Sequence, residues 1–277
     1  MQFLVVLVFG VRKHKQHLRT STLVPRYFGL VDLQRYVSPD LTHFVGRGLG
    51  QEAQFKLLKK IIRQGLLQAR PHDRRTPPNT YAHSKYISRN LSSNKAYKGA
   101  IVCFCDIPLA DLYLHMRKYS PFGLAFRKTF LVEHGVAPVM YVPALGRPSL
   151  LHFYDPKPGS PLPTRGISSQ TVAFDRFWRY LNHFHKKIED GGDAALVKDW
   201  HRVVEFLDLS VLSYLKFFDH RLYDDHKKNY YMEREWRSSK DVEFDLIDIQ
   251  RIIIPPAFSG GLRRAFPDYD GEVFFAD

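Results

Sequence analysis

Near the end of the chain, Tyr230 to Arg237 read Tyr-Tyr-Met-Glu-Arg-Glu-Trp-Arg, and Glu233 and Glu235 are acids at a spacing that could do chemistry. On a β-strand, side chains alternate between faces. Tyr231, Glu233, Glu235 and Arg237 then point one way, and Met232, Arg234 and Trp236 the other. Two carboxylates so close on one face raise each other's pKa, and the pair suits a site where positive charge develops on a substrate. The same residues equally suit a surface strand whose Glu and Arg side chains pair with each other and with their neighbours.

The rest of the chain must position these residues. It has 277 residues, 44% hydrophobic and 14% aromatic, a composition that indicates a folded protein with a substantial core. Lys and Arg outnumber Asp and Glu by 41 to 28, a net charge of +13. That excess favours polyanionic partners, DNA or RNA before a membrane, but governs encounter rather than chemistry. Cys103 and Cys105 sit two apart in an apolar run, on one face of a strand, which is poor geometry for a disulfide. They are too few for a disulfide framework or a zinc knuckle, and buried thiols in a reducing, cytoplasmic compartment fit them best. Phe3 to Phe9 is apolar but too short to span a bilayer, and the basic run from Arg12 to Arg19 follows it rather than precedes it. Residues 1–39 therefore read as an N-terminal extension, and 40–277 as one α+β domain.

Within that domain, Leu41, His43 and Val45 alternate as on a strand. Phe55, Leu58, Ile61 and Ile62 mark an amphipathic helix over Gln51–Gln64, which Gly65 closes. Ala100 to Cys105 is a continuous apolar strand. A helix is expected from Asp106-Ile107-Pro108 to about Lys118, with Asp106 as its cap and Pro108 in its first turn. Leu124–Phe126 and Pro138–Val142 read as strands, with a short helix over Thr129–His134 between them. Five prolines make Gly146–Gly166 a loop. Helices over about Gln170–Lys187 and Ala194–Tyr223, broken at Glu189–Asp193, form a helical insertion of about 168–226. The scattered histidines of that insertion match no metal spacing, and no phosphate-binding glycine loop or nucleophile elbow is present. From Ala69 to Gly99 the chain is irregular, and Arg74, Arg75, Lys85 and Arg89 are interleaved there with tyrosines. Such a stretch suits either nucleic-acid binding or a solvated loop.

Three segments carry a resemblance: Leu41-Thr42-His43-Phe44; Cys103-Phe104-Cys105-Asp106-Ile107-Pro108-Leu109 with Tyr119 to Phe126; and Glu233-Arg234-Glu235-Trp236-Arg237 with Ile252 to Pro255. Together they resemble the AbiGi-type abortive phage-infection family, whose members are catalogued provisionally as antitoxins. The set is more distantly similar to ADP-ribosyltransferases, including the DNA-modifying DarT type. That likeness implies an ADP-ribosyltransferase-like split β-sheet and NAD as a substrate. It implies that Glu235 and Glu233 are catalytic, with His43, Tyr119 and Arg237 holding the dinucleotide. Glu235 would stabilise the oxocarbenium centre, Glu233 would position the acceptor, and Arg237 would meet the pyrophosphate. The middle signature departs from the usual form of that fold, which leaves Tyr119 the weakest match. The AbiGi resemblance implies instead a phage-defence protein with a cognate toxin or antitoxin as partner, either as an enzyme or as a non-catalytic binding module.

Overall fold

Alternating apolar residues build the centre of the fold. The computed structural model describes residues 38–71, 90–94, 99–145, 167–223, 226 and 228–276, all within one compact unit, 35–277. Strand β1 (Asp40–Phe44) leads to helix α1 (Gln51–Gln64), which buries Phe55, Leu58 and Ile62. Gly65 ends the helix in the left-handed region, at φ +59°, and its N–H donates to the Ile62 carbonyl. Two short strands follow, β2 (Leu66–Leu67) and β3 (Arg70–Pro71).

The apolar run forms β4 (Ala100–Cys105) as expected. The next segment differs from its expectation. A 3-10 turn spans Leu109–Asp111, and only Tyr113–Lys118 is α-helical (α2). Asp106 caps neither; its buried carboxylate accepts from the Ser38 N–H at 3.1 Å and from Lys128 Nζ at 3.0 Å. Strand β5 (Gly123–Arg127) and helix α3 (Lys128–Glu133) come next. The single strand expected over Pro138–Val142 is two, β6 (Ala137–Pro138) and β7 (Met140–Pro143), which join different sheets.

The helical insertion is a hairpin of α4 (Ser169–Gly191) and α5 (Ala194–Ser210). Each helix has the cap its sequence offers: Ser168 Oγ accepts from Thr171 N–H, and the Asp193 carboxylate from Leu196 N–H. The second helix stops thirteen residues short of the expected Tyr223. Leu215 to Phe218 instead alternates buried and half-buried residues as strand β8, pairing in parallel with β7. The strand expected from Tyr230 is shortened too. Tyr231–Glu233 is a 3-10 turn, Arg234 is left-handed at φ +41°, and β9 begins at Glu235 and ends at Ser238. Strands β10 (Val242–Glu243) and β11 (Ile249–Ile254), helix α6 (Ser259–Ala265) and strand β12 (Glu272–Phe275) complete the fold.

The main sheet has the order β12-β11-β5-β1-β4-β9-β6, with β3 also paired to β4. Its largest core packs Leu41, Phe104, Phe122, Leu124, Phe126, Ile252 and Ile254 with Phe55 and Leu58 of α1. Register is uneven across the sheet. Strands β1 and β5 share five residue pairs, but β1 meets β4 at one, Thr42 with Cys105. A mixed α+β architecture with a helical hairpin is what the chain adopts.

Gly65 shows how tightly the connections fit. A Cβ there would stand 2.5 Å from the Phe244 carbonyl oxygen on a backbone of positive φ. Gly65→Ala should destabilise the protein by about 1–3 kcal/mol, combining backbone strain with the clash. Urea unfolding checks this, with an unchanged midpoint as the contrary result.

Candidate functional site

The turn before β9 decides where the two acids go. On a continuous strand they would share a face, two residues apart. The 3-10 turn and the left-handed Arg234 instead bring Glu233 round so that both carboxylates converge on one ammonium. Lys216 Nζ, from the middle of β8, lies 2.8 Å from Glu233 Oε2 and 2.7 Å from Glu235 Oε2. Both acids are buried, at 4% and 6% exposure.

Glu235 is enclosed further. Arg237, two residues on and on the same face, donates Nε to Oε1 at 2.9 Å and Nη2 to Oε2 at 3.0 Å. This bidentate pairing is the strong form of the interaction. The other end of the guanidinium, Nη1, donates to the Ser213 carbonyl at 2.6 Å. The Cys103 thiol, opposite Arg237 on β4, also hydrogen-bonds the Glu235 carboxylate. The Glu235 N–H donates to Tyr141 Oη at 2.7 Å. Tyr141 pairs in register with Lys216 across the small β7–β8 sheet, so this two-stranded unit delivers both the ammonium and the phenol.

Glu233 is held from another side. Lys118 Nζ at the end of α2 lies 2.7 Å from its Oε1, and the Tyr119 hydroxyl donates to the same oxygen. Tyr119 stacks on Phe44 of β1, and the Arg47 guanidinium lies 4.8 Å from its ring centroid. His115 is buried beside this group; the Met232 backbone approaches its ring, yet neither ring nitrogen completes a hydrogen bond.

Three cations (Lys118, Lys216 and Arg237) therefore meet two carboxylates in a mostly desolvated cluster. For Glu235, burial raises the pKa, but Lys216, Arg237 and the hydrogen bonds from Arg237 and Cys103 outweigh it, holding the carboxyl far below its ordinary range. Glu233 is lowered as well, because Lys216 and the bonds from Lys118 and Lys216 outweigh burial and the repulsion of Glu235. The mutual raising expected of neighbouring acids is overridden. Tyr119 and Tyr141 are pushed up by burial, with Glu233 and Glu235 adding to it, so both stay protonated donors or acceptors. Chemically, the cluster holds two fixed, ionised and neutralised carboxylates.

The expected residues are only partly brought together. Tyr119 and Glu233 touch, and Glu233 and Glu235 share Lys216. His43 does not join them. Its Nδ1 bonds the Cys103 carbonyl at 2.8 Å, its ring meets Phe104 edge-on, and burial lowers its pKa. The one Cα pair between β1 and β4 puts Thr42, not His43, on the face of Cys105 and Glu235. Phe44, rather than His43, is the β1 residue against Tyr119. Arg237 is 7% exposed, and its donors go to Glu235 and main-chain carbonyls. Arg74, Arg75, Lys85 and Arg89 lie outside the described residues. Lys216, Lys118 and Tyr141 were not found by sequence reasoning. Lys216 falls where a helix was expected, although the alternation of Leu215-Lys216-Phe217-Phe218 was a signal for a strand.

Among the described residues, no group of three or more His, Cys, Asp or Glu is arranged to hold a metal ion. No helix among them is long and apolar enough to cross a membrane. A surface cavity lined by Phe130, His134, Glu243, Phe244 and Asp245 shares no residue with the carboxylate cluster.

The fold and site thus define a mixed α+β protein built over a buried acid–cation cluster. Residues 76–157 match the family described, provisionally, as abortive phage resistance protein AbiGi, antitoxin. The chain is also 25% identical over 174 residues to the abortive phage resistance protein AbiGi of Lactococcus lactis subsp. cremoris; the match covers 57% of this chain and 58% of that protein. The matched part is therefore less than two-thirds of the relative's length. No solved structure matches. The AbiGi resemblance is shown from both comparisons, and a likeness to DarT-type enzymes is not. The family match contains β4 and Tyr119 and ends before Glu233.

Two outcomes follow from the cluster. Lys216→Met leaves two buried carboxylates short of a cation and should cost about 3–5 kcal/mol, read by chemical denaturation; a loss below about 1 kcal/mol would place the ammonium in solvent. Acid should also unfold the protein in stages. Lowered folded pKa values at His43 and His115 contribute stability above 6.5 that fades as pH falls through that value. The lowered values at Glu233 and Glu235 contribute stability above 4.5 that is lost as pH falls further. Thermal melts between neutral pH and about pH 3 should show both declines, and a flat profile is the contrary result.

Proposed function

We propose that this chain is a phage-defence protein that acts as the non-catalytic, antitoxin-side member of a toxin–antitoxin pair, binding a cognate protein in the cytoplasm. The observation that carries this reading is the bidentate Arg237–Glu235 pair beneath Lys216. An acid that stabilises a developing cation must face the reacting centre with its charge uncompensated. Glu235 faces two cations of its own protein. The family description, with its antitoxin designation, supports the same role.

A second reading has two observations in its favour. The single-pair joint between β1 and β4 is the kind of division an ADP-ribosyltransferase-like split sheet requires, and Tyr119 and Glu233 meet beside it. On that reading NAD would be the substrate, nucleic acid or protein the acceptor, and Lys216 and Arg237 would have to release Glu235 on binding.

Expression and labelling separate the two. The antitoxin-side protein, expressed alone, should leave bacterial growth unchanged. Purified, it should transfer no label from NAD to DNA, RNA or lysate protein. Growth arrest together with label transfer, both abolished in a Glu235→Gln protein of normal abundance and melting temperature, would overturn the proposal in favour of the enzyme.

A further inference from the structure

The helical hairpin carries an apolar surface that nothing in the described chain covers. Its helices run antiparallel across a two-residue link, and Trp200 Nε1 donates to His185 Nδ1 at 2.7 Å where they meet. Trp178, Phe174 and Leu181 of α4 pack into a core with Leu212, Leu215 and Phe217. Six other large apolar residues are exposed: Phe177, Tyr180 and Phe184 on α4 at 38%, 45% and 53%, and Leu196, Val203 and Phe206 on α5 at 49%, 47% and 61%.

These six residues are not scattered. At about 100° per residue, Phe177, Tyr180 and Phe184 form one stripe, about a quarter-turn from the line that joins the helices at His185 and Trp200. Leu196, Val203 and Phe206 form a second, offset about a quarter-turn from the same line. Because the helices are antiparallel, both offsets lead to the same side of the hairpin. The stripes therefore merge into one face along helices of 23 and 17 residues, apolar except for Asp199, which lies within the α5 stripe and pairs with Arg202 at 3.0 Å.

We infer that this face is a docking surface for a second copy of the same chain, the two hairpins packing face to face as a four-helix bundle. Area supports this occupant. Counting about half of an aromatic-sized ~200 Å² for each residue, the six present ~600 Å², and a two-fold pair would bury ~1,200 Å², the lower end of the range for specific dimers. A contiguous patch of that size stands at the upper end of the ~300–600 Å² that the largest patch on a monomer reaches. The two-fold arrangement needs no second species, since one patch is its own complement. The net charge of +13 opposes association, so the dimer should tighten as salt screens it. This inference is independent of the antitoxin reading.

Sedimentation of the full chain tests it. The wild type should populate a dimer as concentration rises toward about 100 µM, more so in about 500 mM than in about 50 mM salt. Phe184→Glu/Phe206→Glu, which alters two exposed side chains, should weaken the dimer at least tenfold with an unchanged melting temperature. Ile247→Glu, at a 78% exposed residue outside the face, should leave it intact. A wild type that stays monomeric in both salts overturns the proposal. So does a dimer insensitive to the double substitution, or one lost equally in Ile247→Glu.

Discussion

One ammonium group fixes the arrangement at the heart of this protein. Lys216 enters from β8, a strand outside the main sheet, and bonds two carboxylates that arrive from a turn and from the first residue of β9. Without it, Arg237 and Lys118 alone would offset two anions close together in a site where water is largely excluded, and the repulsion between them would raise the pKa of both. The positions of β8, of the turn at Tyr231–Glu233 and of the first residue of β9 are therefore mutually dependent. Buried ion pairs seldom add much net stability over a well-packed apolar alternative, but removing one partner is costly. Here the bonds from Lys216 tie β8 of the small sheet to the first residue of β9 and to the turn before it.

The surrounding structure serves that constraint. Parallel pairing of β7 with β8 sets Tyr141 beside Lys216, so one unit supplies both the ammonium and the acceptor for the Glu235 amide. The left-handed Arg234 is the backbone device that turns Glu233 back toward Lys216, Lys118 and Tyr119. On the other face of the sheet, Phe104, Phe126 and Ile252 form the apolar layer that takes up α1. A protein arranged in this way spends its two most suggestive acids on its own architecture. That arrangement is the physical support for the proposal of a binding partner in phage defence.

Much of the scaffold could be read in the sequence because local pattern and final structure agree. Helix α1 and its Gly65 terminus follow from apolar spacing and from the one residue suited to positive φ. Strand β4 follows from an unbroken apolar run, and the α4–α5 break from Glu189-Asp190-Gly191-Gly192-Asp193. The site was legible only in part. The acids at 233 and 235 were visible, but their pairing depends on a left-handed arginine, a conformation that residue type seldom adopts and local pattern does not announce. Lys216 was hidden because its four-residue strand follows a helix without a glycine or proline to mark the change. The resemblance implies that His43 holds the dinucleotide with the acids, whereas the single β1–β4 pair sets Thr42 on their face of the sheet.

The most direct test is a pair of double-mutant cycles in denaturant, combining Lys216→Met with Glu233→Gln and, separately, with Glu235→Gln. If one ammonium binds both acids in a buried site, each cycle should give a coupling of about 1–3 kcal/mol. Additivity within about 0.5 kcal/mol in either cycle would show that the corresponding carboxylate does not share Lys216, and would contradict the account at its centre.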